Sequence, residues 1–132
     1  MGLLLLCNGG FMILSAIVSG LYNDGATLEI SFAGITTIFV GILLMYGTKN
    51  HKKEIKKREG YMIVSFGWVF MTISGMLPYL FTGSIPSVTN AFFETMSGYT
   101  TTGASILNDI EVLPEGILFW RSTTHWIGGM GI

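Results

Sequence analysis

The stretch ETMSGYTTTGASILND, residues 94–109, sets three consecutive threonines, Thr100, Thr101 and Thr102, ahead of one glycine, Gly103, and two small residues, Ala104 and Ser105. So polar a loop is out of keeping with the chain that carries it. Of its 132 residues 50% are hydrophobic and only 11% are charged, and the mean hydropathy is +0.60. A soluble domain carries charge on about 25% of its residues. The composition therefore points to an integral membrane protein, and a soluble fold is excluded by the apolar runs described below.

Immediately upstream, TNAFFETMSGY (89–99) places Ala91, Phe92, Thr95 and Met96 on one helical face, with Gly98 near its end. Pro86 and Ser87 or Thr89 supply helix-start signals. Ten residues of helix cover about 15 Å, roughly half a bilayer. A half-length helix, a polar loop and a return to the same side make a re-entrant pore loop. Irregular backbone is tolerated at membrane depth only where it is buried in protein or lines water. An ion entering such a loop sheds its hydration shell, and inward-pointing backbone carbonyls replace those oxygens. Aiming the carbonyls at one axis takes an unusual conformation at one residue, and Gly103 adopts it without a Cβ clash. Alone, threonines ending in glycine are a common turn; the order of the elements around them carries the argument.

Three runs are apolar and long enough to span a membrane: residues 3–22, 28–47 and 61–81. Each gives about 30 Å of helix. Asn8, Gly9 and Gly10 weaken the first as a helix, and small residues there read as close helix packing. NDGAT breaks the first run from the second, and Pro78 is expected to kink the end of the third. A fourth apolar run begins near Leu113, and the sequence ends within it. Six of the seven basic residues, Lys49, Lys52, Lys53, Lys56, Lys57 and Arg58, lie between the second and third runs. The positive-inside rule places that loop in the cytoplasm, together with the N-terminus. Asp24, Asp109, Glu111 and Glu115 then fall on the outer side. The fold class expected is all-α integral membrane: transmembrane helices plus a re-entrant pore helix and filter loop.

AFFETMSGYTTTGAS (91–105) followed by LFWRSTTHWIGGMGI (118–132) resembles the first pore repeat of the TrkH/KtrB superfamily of potassium transporters, nearest the TrkH type. LYNDG and KKREGYMIVSFGWV match the earlier helices. The resemblance implies two N-terminal helices (1–48), a basic cytoplasmic loop (49–60) and a first helix–pore loop–helix repeat (61–132) whose second helix is incomplete. Four such repeats of one chain would surround a single ion path in a bacterial inner membrane. The 132 residues are therefore expected to be an N-terminal piece that does not transport alone. Carried over by position, Gly103 matches the filter glycine, and Thr100, Thr101, Thr102 and Ala104 match the filter strand, with potassium at Thr101, Thr102 and Gly103. Glu94 matches an acidic pore-helix residue and Arg121 the arginine of the following helix, both as supporting residues. His125 departs from the family pattern, where glutamine is frequent, and is given no shared role. The implied partners are membrane lipid, the remaining repeats, a second copy in a homodimer and a cytosolic nucleotide-binding regulatory subunit. No cofactor and no nucleic acid are expected; potassium is the transported substrate.

Other residues carry blander readings. His51 and His125 lack a second metal ligand at helical spacing, and Cys7 lies in an apolar run with no disulfide partner. Phe92, Phe93, Trp120 and Trp126 read as packing or interface anchors, and GGMG (128–131) as close packing or helix flexibility. An enzyme is not expected, because no base and nucleophile pair or metal set is present at plausible spacing. The alternative function is a small membrane interaction or accessory protein with no ion pathway of its own.

Overall fold

The structure is a computed structural model describing residues 1–50 and 54–130; His51, Lys52, Lys53, Gly131 and Ile132 lie outside the described residues. Among these, all regular structure is helical: α1 (Gly2–Tyr22), α2 (Thr27–Thr48), α3 (Lys57–Gly75), α4 (Leu77–Phe81), α5 (Val88–Tyr99) and α6 (Glu115–Gly129). Three segments are long and apolar enough to cross a membrane: α1, α2, and α3 with α4 as one 25-residue span.

The kink expected at Pro78 divides the third span. Proline has no N–H to offer the carbonyl one turn back, and its ring crowds that turn. Helix α3 therefore ends at Gly75 and α4 restarts at Leu77. The buried Trp120 of α6 donates its indole N–H to the carbonyl of Gly75, the last residue of α3, at 2.9 Å, so the end of this helix is held from across the fold. At its other end α3 begins at Lys57, inside the segment expected to be loop. Glu59 accepts the Lys56 N–H at 3.3 Å, which supports a helix start there.

Lipid tails are as apolar as leucine, so membrane helices associate through close packing and hydrogen bonds rather than by fleeing water. Helices α1 and α2 meet through glycines. A Cβ on Gly9 would lie 2.5 Å from Ile38 Cγ1, and one on Gly34 would lie 2.8 Å from Ile13 Cδ1. Gly10, read with Gly9 as a packing residue, faces open space. Asn8 does more than pack. It is buried, donates from Nδ2 to Ser74 Oγ at 2.9 Å, and accepts the Tyr99 hydroxyl at 2.5 Å. One amide thus joins α1, α3 and the end of α5.

Asp24, in the turn between α1 and α2, ties that turn to α6. Its Oδ1 accepts from the Ser19 hydroxyl and, at 3.0 Å, from the Ala26 N–H; its Oδ2 accepts the Gly116 N–H at 2.9 Å. The first N–H groups of a helix have no partner within it, and this carboxylate satisfies one of α6 from 92 residues away. Burial raises the Asp24 pKa, but the hydrogen bonds from Ser19, Gly116 and Ala26 outweigh it and hold the carboxyl below its ordinary 3.8. A lowered carboxylate pKa contributes stability above the unfolded value, and that contribution disappears as pH falls through the folded value. Asp24→Ala is therefore expected to lower the melting temperature of the protein at pH 7. The gap to the unmodified protein should narrow only below about pH 4, where the carboxylate starts to protonate. A gap independent of pH down to 3 would count against this role.

Candidate functional site: a threonine–glycine loop braced from behind

Helix α5 starts after Ser87, one of the expected start positions, and its first turn closes with the Ala91 N–H on the Ser87 carbonyl at 2.9 Å. The expected face is only partly the one buried. Ala91 and Thr95 are buried and Phe92 and Met96 are half-buried, but Glu94 is buried among them, at 1% exposure. Periodicity alone would put a carboxylate on the wet face; here it is taken inward because its partners are on the protein side.

The helix ends in a Schellman motif. The Thr101 N–H reaches the Gly98 carbonyl and the Thr102 N–H the Ser97 carbonyl, each at 3.0 Å. This motif needs a left-handed residue, usually glycine, and Thr101 occupies it with φ 55°. A β-branched residue there costs on the order of 1–3 kcal/mol, and such strain persists only where the surroundings over-determine it. Gly103 follows with φ 76°. The loop thus holds two left-handed residues, of which the sequence suggested one.

Carbonyl accounting separates the loop residues. The Thr100 carbonyl accepts the Thr101 hydroxyl at 2.7 Å, and the Ala104 carbonyl accepts the Ser97 hydroxyl at 2.5 Å. Among the described residues, the carbonyls of Thr101, Thr102 and Gly103 accept no hydrogen bond. All six residues from Thr100 to Ser105 are exposed on their open side. The hydroxyls of Thr100 and Thr102 lie 2.8 Å apart, and Thr100 donates to the Met96 carbonyl at 2.8 Å. Thr102 is then left to donate to Thr100, and the oxygens keep lone pairs for the open side. The negative end of the α5 dipole adds to an environment of acceptors.

The closed side is held by Glu94. Its carboxylate accepts from the Ser105 hydroxyl at 3.2 and 3.0 Å, from the Ile106 N–H at 3.2 Å, and from Arg121 Nε at 2.7 Å. Arg121 is 20% exposed and Glu94 is 1% exposed, so this is a mostly buried ion pair with its remaining lone pairs satisfied. It joins α5, the far end of the loop and α6. Of GGMG, Gly128 is closely packed, since a Cβ there would collide with the Tyr99 carbonyl; Gly129 faces open space, and Gly131 lies outside the described residues. His125 meets the Arg121 carbonyl of its own helix at 2.9 Å through Nδ1. Trp120 packs in the core, whereas Trp126 is exposed.

Comparison with known proteins gives a consistent answer. The family TrkH, described as a cation transport protein, matches residues 27–132. The Trk system potassium uptake protein TrkH of Salmonella typhimurium is 40% identical over 99% of this chain, which covers 27% of that protein. Its counterpart in Escherichia coli K12 is 39% identical over the same shares. The crystal structure of the potassium transporter TrkH from Vibrio parahaemolyticus superposes with a TM-score of 0.90 at 40% identity, covering 99% of this chain and 28% of the other. The chain thus spans about a quarter of the length of the relatives it matches.

Proposed function

The chain belongs to the TrkH family of cation transport proteins, and from that premise we propose that it takes part in potassium uptake across a bacterial inner membrane. The family is one of transporters, not enzymes, and the helices are those of a multi-pass membrane protein. In this reading the loop at 100–105 supplies one quarter of a selectivity filter. Potassium binds the backbone of Thr101, Thr102 and Gly103, and Thr100 and Ala104 hold the ends. The observation that carries it is the run of three carbonyls without hydrogen bonds between two whose oxygens are engaged. Backbone oxygens left open in a polar loop are what a dehydrating cation needs. The inside-negative potential adds about 2.3 kcal/mol per charge per 100 mV toward entry.

The proposed orientation follows from the basic segment, and the rest of the arrangement from membership of the family. Residues 1–48 are two N-terminal helices, 49–60 a cytoplasmic connection, and 61–132 most of a first repeat. The filter then lies toward the outer side. The other repeats of a longer parent chain complete the ion path, and the transporter works as a homodimer with a cytosolic nucleotide-binding subunit. Potassium is cargo, and no cofactor takes part.

Expression of the parent chain in a bacterium lacking its own potassium uptake is expected to restore growth at low potassium and to carry rubidium inward. The isolated 132 residues in liposomes are expected to carry none. A parent chain that restores neither growth nor flux would favour the accessory-protein alternative, and flux through the isolated piece would overturn the shared-filter arrangement.

A further inference from the structure

The basic charge of this protein is gathered in one stretch of the sequence, which begins at the C-terminal end of α2. Residues 49–60 contain six Lys and Arg against two acids, Glu54 and Glu59, and the remaining basic residue, Arg121, is committed to Glu94. At that end, α1 and α2 leave a groove of about 440 Å³ between Leu6, Ile42, Met45, Tyr46 and Lys49. Its walls are aliphatic and its mouth is not. Lys49 carries its ammonium 5.9 Å from the centre of the Tyr46 ring, and the basic segment leaves the helix there. Tyrosine beside lysine at the end of a spanning helix is the composition of a membrane interface, where the ring sits at headgroup depth.

We propose that this groove binds an anionic phospholipid, its acyl chain along Leu6, Ile42 and Met45 and its phosphate at Lys49. The apolar walls match hydrocarbon, and the cationic mouth matches a phosphodiester. The neighbouring basic residues raise the local concentration of anionic lipid, whereas the groove selects where one molecule stays. A neutral peptide helix would satisfy the walls but leave Lys49 unanswered. The proposal rests on the membrane reading of α1 and α2 and not on the filter, so a failure of the filter reading would leave it standing.

Native mass spectrometry of the purified parent chain, titrated with phosphatidylglycerol and with phosphatidylcholine of the same acyl chains, tests it. The unmodified protein is expected to retain phosphatidylglycerol preferentially. Lys49→Gln is expected to weaken that retention about fivefold, equivalent to about 1 kcal/mol for one basic side chain at a membrane surface. Arg58→Gln, in the same basic segment but not among the residues that line the groove, is expected to change it much less. Leu6→Trp, which fills the groove, should reduce retention of both lipids. Equal effects of Lys49→Gln and Arg58→Gln would mean diffuse attraction only and would overturn the site. So would unchanged retention in all three variants, the result expected if another part of the parent chain or a cytosolic partner covers the groove.

Discussion

Gly103→Ala in the parent chain is expected to reduce discrimination of potassium over sodium at least tenfold while leaving the protein folded. Gly103 has φ 76°, and a Cβ added there would meet nothing within 4 Å. Collision with a neighbour is therefore not the cause of the effect. What alanine changes is the backbone preference: a left-handed L-residue costs roughly 1–2 kcal/mol, and rotating the adjoining peptides relieves it. Nothing opposes that rotation through the open carbonyls of Thr102 and Gly103, which make no hydrogen bonds to be broken. The carbonyls would then turn from the proposed ion path. Competition of sodium against rubidium uptake is the measurement, with melting temperature as the control. A decrease in potassium preference of tenfold or more with a melting temperature within a few degrees is expected. Preserved selectivity and uptake would remove the loop from the filter and leave it as a surface turn.

The parts of this architecture carried by local pattern were legible in the sequence. Apolar length marked the spans, the lysine-rich segment separated the second from the third, and Pro78 marked the break before α4. The half-length helix and the glycine in its left-handed conformation were also legible, because each depends on a few adjacent residues. What escaped depends on partners far away in sequence. Asp24 reads as a turn residue until Gly116 is brought to it, and Asn8 as a blemish in a helix until Ser74 and Tyr99 close around it. Thr101 escaped for a different reason. Propensity argues against a left-handed threonine, and it is the helix end, through the hydrogen bonds back to Gly98 and Ser97, that draws it there. Glu94 and Arg121 were named through resemblance; the geometry adds that they meet, and that Ser105 and Ile106 complete the set.

That brace yields the second large effect. Glu94→Ala would strip the Ser105 hydroxyl, the Ile106 N–H and the Arg121 guanidinium of a common acceptor in one step. Removing one member of a buried ion pair typically costs 3–5 kcal/mol, because the survivor is left without compensation. Here the loss falls on the end of the loop that carries Gly103, so both stability and uptake should suffer. The parent chain with Glu94→Ala is expected to melt well below the unmodified protein and to lose more than tenfold in rubidium uptake. Glu94→Gln keeps one oxygen acceptor of the same reach and should lie between the two. The double variant Glu94→Ala/Arg121→Ala separates the pair from the loop contacts. If the single variant suffers mainly from an uncompensated arginine, removing Arg121 as well restores part of the melting temperature, since neighbouring residues in one network are not additive. If the main loss is the anchor on Ser105 and Ile106, the double variant recovers little stability and no uptake. The second outcome is the one expected for uptake in either case, because no other acceptor described in the structure holds those two groups. Near-normal uptake with Glu94→Ala would show that the loop keeps its conformation without the brace, and the strain at Thr101 would then need its support from α5 alone.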